Sequence, residues 1–164
     1  MKVLFVCTGN TCRSPIAEKL LEESIKNDAQ LCGSVEVDSC GTNADEDSPA
    51  SSSAIEVMYE RGCDITPHRS KRIDKDLVEH SDLILTMTKI QAMQIEQIFK
   101  NSSGKVFALL DYIEKNSQNR YEEIDIIDPF SFSIDNYSRV TDNLDSAATE
   151  LCKILKDKFI IKKH

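Results

Sequence analysis

Cys7-Thr8-Gly9-Asn10-Thr11-Cys12-Arg13-Ser14 sets a thiol, a glycine and a guanidinium close together, directly after the apolar run Val3-Leu4-Phe5-Val6. Residue types in this order suit the capture of a phosphate dianion over a nucleophile. Cys7 is the candidate nucleophile. A free cysteine thiol near pKa ~8.5 is mostly protonated at neutral pH, but inward N–H groups, a helix N-terminus and Arg13 would all favour the thiolate. Arg13 carries the planar fork that grips two phosphoryl oxygens and follows the charge as the phosphoryl group flattens. A cation at a helix start opposes the helix dipole, and a bound anion removes the conflict. Thr8, Gly9, Asn10, Thr11 and Cys12 then form the phosphate cradle. Gly9 is expected to take positive φ and turn N–H groups inward, and the helix opening at Ser14 is expected to point its free N–H groups at the anion.

Other residues have supporting roles. Asn10 and Ser14 can brace the loop, and the Ser14 hydroxyl can steady the thiolate when it leaves. Cys12 lies close enough in the loop to form a reversible disulfide with an oxidised Cys7. A leaving group also needs a proton. The best distant donor is Asp128, held before Pro129 and flanked by Phe130. Apolar surroundings are expected to raise its pKa, so that it protonates the leaving group and its carboxylate then activates water against a phosphocysteine intermediate.

Spacing alone is weak support, because Cys63-Asp64-Ile65-Thr66-Pro67-His68-Arg69-Ser70 has the same Cys-x5-Arg-Ser pattern. Here Pro67 removes an N–H, Asp64 would repel an anion, and no strand or loop glycine helps. Gly62 instead reads as a helix stop just before it. The first copy is taken as the site and the second as coincidence.

The elements that must position these residues alternate between short apolar runs and helical patterns. That alternation predicts an α/β fold with a mainly parallel sheet. Strands are expected over Lys2–Cys7, Val35–Ser39, Leu83–Met87 and Val106–Leu110. Ser14-Pro15 reads as an N-cap and first turn, followed by a stripe through Ile16, Leu20, Leu21 and Ile25. Further helices are expected over Ser51–Arg61, Asp74–His80 and Ile90–Lys100. Residues 111–127 read as polar and irregular. A long helix follows from Ile134 to Lys158, and the apolar tail Phe159-Ile160-Ile161 is a candidate contact surface.

Composition narrows the class. The chain has 164 residues, six cysteines and a formal net charge of −8, which predicts one domain spanning residues 1–164 and argues against a general nucleic-acid binder. Arg69, Lys71 and Arg72 could still supply a local basic patch. No apolar stretch reaches membrane-span length, and the strand after Met1-Lys2 is too short for a signal-peptide core. Scattered cysteines, two of them in the loop, fit a reducing cytoplasmic setting better than a disulfide framework. His68, His80 and His164 are isolated, so neither a metal nor a cofactor is expected.

Val6-Cys7-x5-Arg13-Ser14-Pro15, Ser39-Cys40-Gly41-Thr42, Asp82-Leu83-Ile84-Leu85-x-Met87 and Asp128-Pro129 together resemble the low-molecular-weight protein tyrosine phosphatase family in order, spacing and length. The resemblance implies a single-domain, four-stranded parallel sheet flanked by helices on both faces, with the phosphate loop after strand 1. It also implies Cys7 as nucleophile, Arg13 as clamp, Asp128 as general acid, and Asn10, Ser14 and Ser39 as loop support. Thioredoxin-linked arsenate reductases of this family need a cysteine pair near the third strand, and Asp82–Lys89 has no cysteine. Tyrosine-specific members usually carry a bulky aliphatic residue at the position of Thr11, with tyrosines after Asp-Pro. Thr11, Asp128-Pro129-Phe130 and Ser133-Ile134-Asp135-x-Tyr137 look like the bacterial protein-arginine phosphatase branch, although Phe132 stands where a small residue is expected. The implied partners are phosphorylated proteins, with the chain a monomer or weak dimer. A silent phosphoresidue-binding module and a Cys7–Cys12 redox sensor are the readings from other classes.

Overall fold

The computed structural model describes residues 1–130 and 133–161, with side chains through residue 158. Four strands, β1 (Lys2–Cys7), β2 (Glu36–Gly41), β3 (Leu83–Thr86) and β4 (Val106–Ala108), form one sheet in the order β2-β1-β3-β4. Every pairing is parallel, with Phe5 opposite Ser39 on one side and Leu85 on the other. Six helices follow the strands: α1 (Arg13–Lys26), α2 (Ser52–Tyr59), α3 (Lys75–His80), α4 (Lys89–Ile98), α5 (Leu109–Asn116) and α6 (Ile134–Ile161). The four-stranded parallel fold implied by the resemblance is the fold observed.

Alternation along β1 divides the core into two layers. Val3, Phe5 and Cys7 face a large layer that includes Ile16, Leu21, Met58, Ile113 and Leu151, from α1, α2, α5 and α6. Leu4 and Val6 face a smaller layer with Val78 of α3 and Ile95 of α4. A strand covered on both faces must be apolar throughout, which is why this segment reads as an unbroken apolar run. The expected seam of α6 through Tyr137, Val140, Leu144, Ala148, Leu151 and Leu155 is buried along its whole length. Burial of each leucine there is worth about 1.5–3 kcal/mol.

Three local expectations are corrected. Residues 111–127 are not irregular throughout, and the last strand stops at Ala108. Leu109, Leu110, Tyr112 and Ile113 fold as α5, burying one face against the large layer. Strand β2 runs two residues further than expected, to Gly41, because Cys40 and Gly41 pair with Val6 and Cys7. Ser14 is not a cap, since α1 begins at Arg13 with Cys12 in the capping position. Gly62 does stop its helix, at φ 74°, with its N–H bonded to Tyr59 O. Phe132 and the side chains of Phe159-Ile160-Ile161 lie outside the described residues.

Candidate active site

Strand β1 lies between β2 and β3, so the chain order reverses at its C-terminal end. A parallel sheet opens a ligand crevice at such a point, and the loop from Cys7 to Arg13 forms its floor. Several loop carbonyls are turned outward and held by the rest of the protein. Cys7 O accepts from Thr42 N at 2.9 Å, Thr8 O from Asn43 N at 3.0 Å, and Thr11 O from Ser51 N at 2.8 Å. Asn10 O lies 2.7 Å from His68 Nε2. Burial lowers the pKa of His68, so the ring is neutral and its one N–H is the donor. With these carbonyls turned out, Asn10 N donates to Cys7 Sγ at 3.2 Å. The amides of Gly9, Thr11 and Cys12 meet no acceptor among the described residues. Nor does any side chain cap the start of α1, which leaves a helix N-terminus available to an anion.

The left-handed residue in this loop is Asn10, at φ 54°, and not Gly9. Asparagine tolerates that conformation when its short polar side chain finds local partners. Here its Nδ2 donates to Ser14 Oγ at 2.9 Å and to Ser39 Oγ at 2.8 Å, while its Oδ1 accepts from Lys71 N at 2.9 Å. A Cβ on Gly9 would meet only Thr11 Oγ1, at 3.6 Å. The glycine that sterics require is Gly41, where a Cβ would stand 2.5 Å from Thr8 O.

Ser14 Oγ lies 3.0 Å from Cys7 Sγ and 3.4 Å from Cys40 O. Because Asn10 donates to it, its own proton is left to two acceptors, the nearer Cys7 Sγ and the more distant Cys40 O. The network reaches further back, where Ser39 Oγ donates to Glu18 Oε2 at 2.5 Å. Burial pushes Glu18 up to about 7, with Asp38 and Glu22 raising it further while the Ser39 hydrogen bond and Lys71 oppose. A continuous chain of hydrogen bonds thus runs Glu18–Ser39–Asn10–Ser14–Cys7.

Arg13 is 4% exposed. Its Nη1 donates to Ile126 O at 2.9 Å and its Nη2 to Asp128 Oδ2 at 2.7 Å. Nε is buried without a partner among the described residues, an arrangement that costs about 1–3 kcal/mol unless an acceptor arrives. The segment carrying Asp128 is anchored at the end of β3, where Ile126 N donates to Met87 O at 2.8 Å. Asp128 is not in apolar surroundings. Its side chain is 49% exposed at the mouth, paired with Arg13, and accepts from Phe130 N at 3.1 Å. Phe130 follows it in sequence but is itself 65% exposed.

Cys7, Thr8, Gly9, Thr11, Cys12, Arg13, Asp128 and Phe130 line one cavity of about 220 Å³. Every lining residue was a candidate from the sequence. Asn10, Ser14 and Ser39 stand behind it as bracing. Cys12 Sγ donates to Ser51 Oγ at 3.2 Å and lies 3.2 Å from Tyr137 OH. Burial raises the Tyr137 phenol, so its proton is retained.

The second Cys-x5-Arg-Ser stretch is no cradle. Asp64 accepts from Thr66 N and Thr66 Oγ1, and Arg69 donates to Thr66 O and His68 O. The same stretch nevertheless supplies His68 to Asn10, and Lys71 directly after it supplies its amide, two braces with no signal in the spacing. Arg69, Lys71 and Arg72, which could have supplied a basic patch, do not line the cavity; Lys71 Nζ pairs with Asp38 at 2.5 Å and Arg72 Nε donates to Ala44 O at 3.1 Å. Gln91 was also missed. It donates to Thr8 Oγ1 at 3.1 Å, and its capping box with Thr88 was the only available sequence cue.

A thiol beneath inward amides, with a half-satisfied arginine and a carboxylate above it, is the equipment of a phosphatase that works through cysteine. Comparison with known proteins agrees. The family model described as low molecular weight phosphotyrosine protein phosphatase matches residues 2–160, and the chain belongs to that family of phosphoprotein phosphatases. It is 35% identical over 156 residues to a protein-arginine-phosphatase of Bacillus subtilis, covering 95% of this chain and 97% of the relative. It is 33% identical to the low molecular weight protein-tyrosine-phosphatase PtpB of Staphylococcus haemolyticus, covering 88% and 92%. Among solved structures, the C7S mutant of YwlE arginine phosphatase with a phosphorylated active site serine superposes with TM-score 0.83 at 35% identity, covering 95% of this chain and 96% of that one. The likeness extends over nearly the whole chain, and phosphorylated proteins are the substrates it implies. No helix among the described residues is long and apolar enough to cross a membrane.

Proposed function

We propose that this chain hydrolyses phosphoarginine in proteins. The observation that carries the reading is the cavity wall, where Thr11 shares one lining with Cys7, Arg13 and Asp128. A hydroxyl there can meet a guanidinium edge that an aliphatic side chain would leave unpaired, and one such polar contact can carry a large discrimination. The similarity to a Bacillus subtilis protein-arginine-phosphatase supports the same reading.

The Cys7 thiolate attacks phosphorus in line, and the P–N bond breaks. Asp128 gives up the Arg13 fork to the phosphoryl oxygens, takes up a proton and passes it to the departing guanidine nitrogen. Arg13 turns Nε and Nη2 to the equatorial phosphoryl oxygens, and the amides of Gly9, Thr11 and Cys12 take the rest of the charge. The Asp128 carboxylate then removes a proton from water, which attacks the phosphocysteine. Cys7 leaves as a thiolate received by Asn10 N and Ser14 Oγ, and inorganic phosphate departs. Asn10, Ser14 and Ser39 keep the loop in this shape throughout.

The test is kcat/KM on matched phosphoarginine and phosphotyrosine peptides, for wild type and Thr11→Ile. A wild-type preference for phosphoarginine that shifts toward phosphotyrosine in the variant supports the reading. Preference for phosphotyrosine from the outset makes the chain a tyrosine phosphatase, as the likeness to PtpB would have it, with Phe130 stacking on the ring. No turnover of either peptide would point to a silent binder.

We further propose that peroxide oxidises Cys7 to a sulfenic acid, which Cys12 attacks to give a disulfide and water. Both thiols are free and line the same cavity. Such chemistry suits a reducing compartment that can restore the thiols, the cytoplasm.

A further inference from the structure

Beside the catalytic cavity lies a larger groove of about 710 Å³. Thr8, Arg13 and Asp128 belong to the walls of both, so the Arg13–Asp128 ion pair is the partition between them. Its wall combines six isoleucines and Phe99 with nine polar or charged residues. Ile90 and Ile98, eight positions apart on one face of α4, line it at 64% and 70% exposed, while Gln91 and Ile95 on the adjacent face are buried. From the opposite wall Ile127 contributes at 68% exposed. Single exposed aliphatic residues are ordinary, but several converging on one concavity mark a binding surface.

Resting on the phosphoprotein reading of the catalytic site, we propose that this groove docks an aliphatic side chain of the substrate polypeptide, close in sequence to the phosphorylated residue. Continuity identifies the occupant, because whatever enters the catalytic cavity as part of a protein must lay its flanking chain on an adjoining surface. Extended chain advances roughly 3.3 Å per residue. A partition one ion pair thick, roughly 6–8 Å by ordinary contact distances, sets the docked side chain two or three residues from the phosphoresidue. The carboxylates of Asp125 and Asp128 sit in the groove wall, so an acidic residue at that position is disfavoured.

The test uses phosphoarginine and phosphotyrosine peptides carrying Leu, Ser or Glu two and three residues to either side of the phosphoresidue. Wild type is compared with the Ile90→Ser/Ile98→Ser double variant, whose changes are exposed and leave the core untouched. Burying one leucine predicts that wild type favours a Leu peptide over its Ser counterpart about ten- to 150-fold in kcat/KM, mainly through KM, with Glu poorest. The double variant is expected to lose that preference while hydrolysing p-nitrophenyl phosphate as wild type does.

Equal rates on Leu and Ser peptides in wild type would overturn the proposal. So would a preference that survives intact in the double variant. A wild type that self-associates in sedimentation, with the double variant monomeric and no Leu preference, would assign the face to a second copy of the chain instead. Failure of the arginine reading looks different. In that case phosphoarginine peptides are not hydrolysed, while the Leu preference persists among phosphotyrosine peptides.

Discussion

Glu18→Gln isolates the far end of the hydrogen-bond chain that braces Cys7. The amide keeps an oxygen to accept from Ser39 but cannot titrate. In the folded protein Glu18 is raised from 4.5 to about 7, chiefly by burial. A carboxyl raised on folding contributes stability that is fully present below about pH 4.5 and lost as pH climbs through about 7. The shift is about 2.5 units at about 1.36 kcal/mol each, which sets an upper limit of ~3 kcal/mol, with ~2–3 kcal/mol falling between pH 5 and pH 8. Groups common to both proteins cancel in the difference. Urea unfolding of wild type and variant at several pH values provides the measurement. The stability of the variant relative to wild type should rise across this window, moving its relative midpoint by about 1 M urea. Parallel profiles from pH 5 to pH 8 would show that Glu18 titrates in the folded state as it does in the unfolded chain, and the electrostatic reasoning would fail.

Two further expectations concern the loop itself. Gly41→Ala forces a methyl to 2.5 Å from Thr8 O and 3.0 Å from Asn10 N. Because both neighbours are backbone, the substitution should cost about 1–3 kcal/mol and depress kcat more than an equally destabilising core change, as thermal melts and steady-state rates on one preparation will show. Peroxide treatment should yield a Cys7–Cys12 bridge in peptide mapping by mass spectrometry, with activity restored by thiols. Recovery of only free or over-oxidised Cys7 would reject the pairing.

Elements with long, regular patterns were readable from the chain. The unbroken apolar run of β1 and the seam of α6 repeat often enough to override local ambiguity, and the loop between strand and helix carries its chemistry in consecutive residues. Helix α5 was not readable. It has only eight residues, preceded by a strand of three, so neither period repeats enough to separate them. Asp128 was found, but its surroundings were misjudged because Pro129 and Phe130 are neighbours along the chain, whereas the carboxylate meets Arg13. Glu18, His68 and Lys71 had no local signature at all, and Gln91 showed only its capping box with Thr88. Each acts through one hydrogen bond to a distant partner, and no period or spacing records which side chains the topology brings together.

Cys7 and Arg13 are six residues apart, yet the shape of the stretch between them is held by Ser39, His68, Lys71, Gln91 and Tyr137, and its counter-carboxylate is Asp128. During synthesis the reactive thiol therefore emerges long before the parts that equip it. The counter-carboxylate of Arg13 lies 115 residues along the chain at Asp128, and the phenol beside Cys12 lies further still at Tyr137. The site therefore draws on partners from residue 7 to residue 137, and is a property of the tertiary fold rather than of the loop that carries the thiol.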